Sequence, residues 1–294
     1  MRAAVIREGA LQIAVRPDPV PGVGEILIRV HAAGVNGADL MQRAGRYPPP
    51  PGAPVDIPGL ECAGETEDGR RLMALLPGGG HAELVAVHAA HTLAVPENVT
   101  WPHAGGFVET FATAHDALFT QAQLRPGERL LVHGAAGGVG VAAVQLGVAA
   151  GAHVTGTARH HGPQIEALGA DTTESGEYDV ILELVGGENL STNLEQLAPR
   201  GRIAVIGTGA GAGAEVDFGL LMRKRGRIHG STLRARSREE KAEVISRLRE
   251  DVLPLLADGR VTVPVEATFP LEEAQKAYER FAAGGKFGKI VIEL

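Results

Sequence analysis

The chain has 294 residues, 44% of them hydrophobic and 21% charged, which supplies apolar material for two domain cores and excludes a disordered or fibrous chain. The net charge of −7 opposes general nucleic-acid binding, and aromatics at 4% are too few for a platform that stacks single-stranded bases. Cys62 is the one cysteine, which rules out an internal disulfide and a cysteine-built zinc site and points to a reducing cytoplasm.

Met1–Glu8 places charge on both sides of a short apolar run, unlike a signal peptide. Short β segments follow. Ala3–Ile6 is expected to pair with Leu11–Val15, and Glu25–Ala32 alternates with Ile26, Ile28 and Val30 on one face. Pro48 to Pro51, then Gly52, form a rigid extended loop that no helix or central strand survives. Leu72–Leu76, Ala82–Val87 and Thr92–Val95 continue the strand pattern, with Pro77–Gly80 turning between two of them. The first hundred residues therefore read as a small β-barrel. Within it Cys62 is expected in a turn as a small apolar filler, and His88 and His91 on opposite sides of a strand.

The period changes near residue 102. Phe107, Phe111, Ala114 and Leu118 recur at helical spacing through Gln121, and Leu124–Glu128 turns the chain. Strand and helix then alternate: Arg129–Val132, Gly140–Ala149, His153–Thr157, Gly162–Leu168, Val180–Val185, Asn189–Leu197 and Arg202–Ile206. That alternation predicts an α/β, Rossmann-type doubly wound parallel sheet with helices on both faces. A helix over Arg238–Asp258 follows. The tail from Val261 returns to strand, helix, strand, and Lys289–Glu293 is expected to rejoin the β domain, making it discontinuous. The boundaries expected are 1–105 and 253–294 for the β domain and 106–252 for the α/β domain.

Leu130 to Ala158 contains no Asp, Glu, Lys or Arg and is long enough to suggest a membrane span. Its glycines argue instead for strand, tight turn, buried helix and strand. In Leu130-Leu131-Val132-His133-Gly134-Ala135-Ala136-Gly137-Gly138-Val139-Gly140, a buried strand turns through glycines into a helix start, presenting bare N–H groups and the positive helix end. Such a turn binds a pyrophosphate. Gly137 would let the backbone approach the ligand, Gly140 would let the helix pack on the strand, and Ala135 stands at the position of the first glycine of G-x-G-x-x-G. At the end of the next strand an NAD site expects a carboxylate for the ribose 2′-hydroxyl. Thr157-Ala158-Arg159-His160-His161 has none, and Arg159 offers forked donors to a 2′-phosphate, so the cofactor expected is NADPH; the alternative is a solvated basic loop.

Several stretches together resemble the zeta-crystallin-like quinone oxidoreductases of the medium-chain dehydrogenase/reductase superfamily, most closely the p53-inducible quinone oxidoreductase subgroup. They are the GAAGGVG turn, Gly34–Arg43, Tyr47–Gly52, Met73–Gly80 and the closing Gly288-Lys289-Ile290-Val291. The resemblance implies a GroES-like catalytic domain beside the Rossmann domain, with NADPH in the cleft between them and a quinone as acceptor. It implies Asn36 and Tyr47 as catalytic residues that also line the nicotinamide, and Thr113 at the nicotinamide end. Gly137, Gly138, Val139 and Gly140 would hold the pyrophosphate, and Arg159 with His160 the 2′-phosphate. Gly207, Leu233 and Lys286 would be further cofactor contacts. Tyr47 reads equally well as a ring packed beside Pro48.

Two connections depart from the family pattern: Gly169–Tyr178, reduced to a polar turn, and the part after Glu65. Both fall where length changes are tolerated. The zinc alcohol dehydrogenases of the superfamily place a cysteine where this chain has Asn36 and a histidine where it has Leu60, so no metal is expected. Seven basic residues between Arg223 and Arg238, without an acid, resemble the family's sheet-edge strand and loop, which implies a homodimer through the Rossmann sheet edges rather than a nucleic-acid patch. No membrane association is expected. Two rival functions remain: an NADPH-dependent reductase of enoyl thioesters or α,β-unsaturated carbonyls, and a non-enzymatic NADPH-binding sensor.

Overall fold

The computed structural model describes residues 1–294 and divides them into two units, Met1–Ala112 with Leu233–Leu294, and Thr113–Thr232. The first unit opens with a hairpin of β1 (Arg2–Arg7) and β2 (Ala10–Val15), turned through Glu8 and Gly9 at positive φ. Then come β3 (Glu25–Val35), α1 (Gly37–Arg43), β4 (Glu61–Glu65), β5 (Arg71–Leu75), β6 (Leu84–His88) and β7 (Thr92–Ala94), followed by α2 (Trp101–Gly105) and α3 (Val108–His115). Ile28 and Val30 of β3 are buried with Cys62, Ala74 and Val87, as the alternation expects.

Three expectations fail in this region. Cys62 lies in β4, fully buried, rather than in a turn, and burial pushes its thiol well above the ordinary range. His88 and His91 are joined by a single 3₁₀ turn, Ala89–His91, so their rings lie 5.5 Å apart instead of on opposite faces. The expected helix over 102–121 is also divided. At Gly105 an added Cβ would stand 2.7 Å from that of Ala32, and the backbone breaks between α2 and α3. Beyond α3 the winding loosens into a π turn over Asp116–Gln121.

The second unit alternates as expected: β8 (Arg129–His133), α4 (Gly138–Ala149), β9 (His153–Thr157), α5 (Gly162–Ala167), β10 (Tyr178–Glu183), α6 (Leu190–Glu195), β11 (Leu197–Val205), α7 (Phe218–Lys224) and β12 (Arg227–Gly230). All pairings are parallel, in the order β12-β11-β10-β8-β9. Leu131, Ile181 and Ile203 pack with residues of α6 and α7 on one face, while Gly147 of α4 approaches Leu130 and Val154 on the other. In the connection after Gly169, Asp171 alone bridges to Thr155 of β9. α4 has 12 residues, about 18 Å long and short of a bilayer. No helix of the chain is long and apolar enough to cross a membrane.

Residues 233–294 contribute α8 (Arg238–Asp251), α9 (Leu253–Ala257), β13 (Val265–Pro270), α10 (Ala274–Ala282) and β14 (Lys289–Glu293). The expected single helix over 238–258 is broken at Val252, because Pro254 can enter only a first turn. The chain leaves the α/β unit before α8, not after it at 252 as the periodicity suggested. His91 bonds the carbonyl of Arg238 and Arg249 bonds that of Thr92, fastening α8 to the β unit. β14 rejoins that unit as expected, antiparallel to β3, in a seven-stranded sheet ordered β13-β14-β3-β4-β5-β7 with β6 on β3. Ala274, Ala277, Tyr278 and Phe281 form the apolar stripe of α10, closing a core with Ala4, Leu11, Val35, Ile290 and Ile292.

Candidate active site

In the α/β unit, β8 is flanked by β9 and β10, so successive connections leave it in opposite directions and open a crevice at the strands' carboxyl ends. Gly134 makes the turn there with φ +71, a conformation disfavoured for residues with a Cβ. The role of first glycine therefore falls on Gly134 rather than on the position of Ala135, whose side chain is buried and whose N–H bonds the carbonyl of Thr157. Gly140 answers to this turn more than to the strand: an added Cβ would lie 2.2 Å from the Gly134 carbonyl oxygen. Gly137 caps α4 in extended backbone, and Val141 N–H makes the first helical bond back to it at 2.8 Å. The N–H groups of Gly138, Val139 and Gly140 thus form the unpartnered first turn of a 12-residue helix, which fits a dinucleotide pyrophosphate.

A side-chain network unseen in the sequence ties the strand ends together. Glu183, closing β10, accepts Val185 N–H (2.6 Å) and Gly186 N–H (2.9 Å) at Oε1, and the amides of Asn193 (2.9 Å) and Asn189 (3.1 Å) at Oε2. Asn193 therefore turns Oδ1 toward His133 Nε2 at 2.7 Å. His133 donates there, and its Nδ1 accepts the Thr157 hydroxyl at 2.8 Å. Histidine, threonine, asparagine and glutamate so link the ends of β8, β9 and β10. At Gly207 an added Cβ would meet the Leu184 carbonyl oxygen at 2.1 Å. Arg159 and His160 are exposed just past β9, with no acidic residue between Thr157 and His161.

The β unit has a different polar centre. Asn36 leaves β3 and precedes α1; Asp39 accepts its backbone N–H (2.8 Å) and that of Gly59 (2.9 Å), although burial raises the Asp39 carboxyl above its ordinary range. The Asn36 side chain turns inward. Lys289 Nζ, only 3% exposed, donates to Asn36 Oδ1 (2.7 Å), Glu61 Oε1 (2.7 Å) and the Val35 carbonyl (3.1 Å). Asn36 Nδ2 donates to the same Glu61 oxygen at 2.9 Å, and Glu61 Oε2 accepts the N–H of Glu109 at 2.9 Å. Both carboxylate oxygens of Glu61 therefore have donors. Sequence reading missed Lys289 and Glu61 because they are 228 positions apart.

Tyr47 stands on the proline loop with its ring under the Arg234 guanidinium, 5.1 Å from charge to centroid. Arg234 also donates to the carbonyls of Tyr47 (3.0 Å) and Pro77 (2.9 Å) and to Gln42 Oε1 (2.5 Å), while Lys241 bonds its carbonyl. Buried Leu233 directly precedes this anchor. Burial, then the charge of Glu109, raises the Tyr47 hydroxyl above its ordinary value. Glu109 is pushed up to about 8 by burial and by Glu61 and Asp39, against Lys289 and Arg234. Thr113 lies one turn farther along α3. Lys286 folds over Phe281 and bonds the Gly288 carbonyl; burial and Lys289 lower its amine to about 8. No three His, Cys, Asp or Glu side chains are grouped to hold a metal ion.

Residues 22–72 match the alcohol dehydrogenase GroES-like domain and residues 153–292 the zinc-binding dehydrogenase family model. Rat quinone oxidoreductase is 32% identical over 94% of this chain and 91% of its own length; the human one is 30% identical over 100% and 98%. The chain belongs to the quinone oxidoreductase-like medium-chain dehydrogenases/reductases. Among solved structures, the quinone oxidoreductase of Thermus thermophilus, described together with its NADPH complex, is 34% identical with a TM-score of 0.87 over the whole of both chains. The protein is thus an oxidoreductase of this family, with a GroES-like unit and a Rossmann unit.

Proposed function

We propose that the protein is an NADPH-dependent, zinc-independent quinone reductase. The observation that carries this reading is the β8–α4 turn at the switch point, next to a β9 end that offers Arg159 and no carboxylate. Bound there, NADPH would supply a hydride. Gly138, Val139 and Gly140 would hold its pyrophosphate through backbone N–H groups, with Gly137 letting the main chain approach it, and Arg159 with His160 would take the 2′-phosphate. Thr113, Gly207, Leu233 and Lys286 complete the cofactor contacts that the family likeness suggests.

Asn36 and Tyr47 line the acceptor side. Asn36 is oriented by Lys289 and Glu61, with Lys289 Nζ donating to both Asn36 Oδ1 and Glu61 Oε1 and Asn36 Nδ2 donating to the same Glu61 oxygen. Leu60 is buried where a metal-binding relative would need histidine, which supports the zinc-independent reading. Without a Lewis acid, the acceptor suited to this site is one whose reduction is favourable in itself, as a quinone becoming an aromatic hydroquinone. Tyr47, held protonated by burial, donates a hydrogen bond to the acceptor oxygen. We further infer a homodimer through β12, the open edge of the parallel sheet, and a cytoplasmic location.

Loss of NADPH absorbance with a benzoquinone and with a crotonyl thioester, each repeated with NADH, tests the reading. Faster turnover of the quinone with NADPH supports it. Clear preference for the thioester makes the protein an enoyl reductase, and nucleotide binding without turnover makes it a sensor.

A further inference from the structure

The three acidic residues around the Asn36 wall are not equivalent. Asp39 accepts two backbone N–H groups, and Glu61 accepts Lys289, Asn36 and the N–H of Glu109. The Glu109 carboxyl makes no hydrogen bond within the protein, and the residue as a whole is partly buried. Its position is nonetheless set on both sides. The bond from its own N–H to Glu61 pins the first turn of α3 against the wall, and its charge acts on Tyr47 and Lys241 as Arg234 and Lys289 act on it. Thr113 lies on the same face of α3, at i+4.

We propose that Glu109 is the proton donor of the reduction. This rests on the quinone-reductase reading and adds to it the source of the proton. Reduction to hydroquinone needs a hydride and one proton. With NADPH bound as hydride source, the quinone would gain the hydride, and its negatively charged oxygen would form a bond to the Glu109 proton as the carboxyl O–H breaks. The carboxylate left behind recovers a proton from solvent, since Glu109 as a residue is only partly buried. Tyr47 is the weaker source, since burial lifts its hydroxyl above its ordinary range, while Glu109 is pushed up only to about 8. The groups that set Glu109 are Glu61 on β4, Asp39 on α1, Lys289 on β14 and Arg234 ahead of α8, with Tyr47 and Lys241 on the other elements it faces.

The test compares wild type with Glu109→Gln and Glu109→Asp, both of which keep the N–H bond to Glu61. Infrared titration of the nucleotide-free protein reads the carboxyl directly. Wild type should show a protonated-carboxyl band that disappears with a midpoint near pH 8, and the Gln variant should lack it. Turnover of a benzoquinone by wild type should fall as pH rises through 8, because the acid form is the active one. In Glu109→Gln turnover should drop on the order of 10²-fold, lose that decline and leave NADPH affinity within about twofold. Glu109→Asp should restore the alkaline decline at reduced rate. Lys286, which titrates in the same range, is present in every variant and so cannot produce the difference. A Gln variant that binds NADPH and keeps both wild-type rate and pH profile overturns the proposal and leaves the function standing. A wild type that reduces no quinone at any pH removes both.

Discussion

The two units carry polar sites made in opposite ways. In the α/β unit the crevice consists of main chain: the turn from Gly134 to Gly140 offers N–H groups that never titrate. In the β unit the wall consists of side chains brought from positions 36, 61, 109 and 289, charged or amide groups whose states depend on one another. A main-chain site depends on the absence of side-chain atoms and is damaged by adding one. A charge cluster depends on balance and is damaged by removing one partner.

The strongest challenge to this contrast is Lys289→Met. It leaves Glu61 buried without its cation and should destabilise the protein by about 3–5 kcal/mol in thermal or urea unfolding. Adding Glu61→Gln should recover much of that loss; no recovery would mean that Lys289 acts by packing. Gly140→Ala comes next, at about 2–3 kcal/mol with loss of nucleotide uptake by calorimetry, since backbone atoms of the Gly134 turn must move. Gly137→Ala, whose nearest atom would be 3.4 Å away, should stay within about 0.5 kcal/mol and serves as the control. Arg159→Asp should weaken NADPH about 10- to 100-fold and shift preference toward NADH, read from paired titrations. The smallest effect belongs to Tyr47→Phe: one hydrogen bond, about 1 kcal/mol, or roughly fivefold in kcat/KM for the quinone.

The same contrast explains which expectations held. The strands and helices of the α/β unit match their periodicity within a few residues, because burial of apolar faces acts over short stretches. Misplaced boundaries fell where local pattern is ambiguous. The helical period of Arg238–Asp258 says nothing about which unit α8 packs on, and only the bonds to His91 and Thr92 assign it. His88 and His91 come together because three residues wind into a 3₁₀ turn that strand alternation does not encode. Ala135 occupies the first-glycine position of the motif, although the φ value that needs glycine belongs to its neighbour.

From the residues alone came the glycine turn, the missing carboxylate after β9, the return of the last strand and the family likeness, all of them carried by contiguous segments. Only the folded chain decided that a lysine near the C-terminus would sit between Asn36 and Glu61, and that His133 would face Asn193. It also decided that Glu109, in a largely apolar helix, would lie among charges with its carboxyl unbonded. The reason is physical: hydrogen bonds and charge interactions act over a few ångströms of space, whatever the distance along the chain, and no local pattern records them.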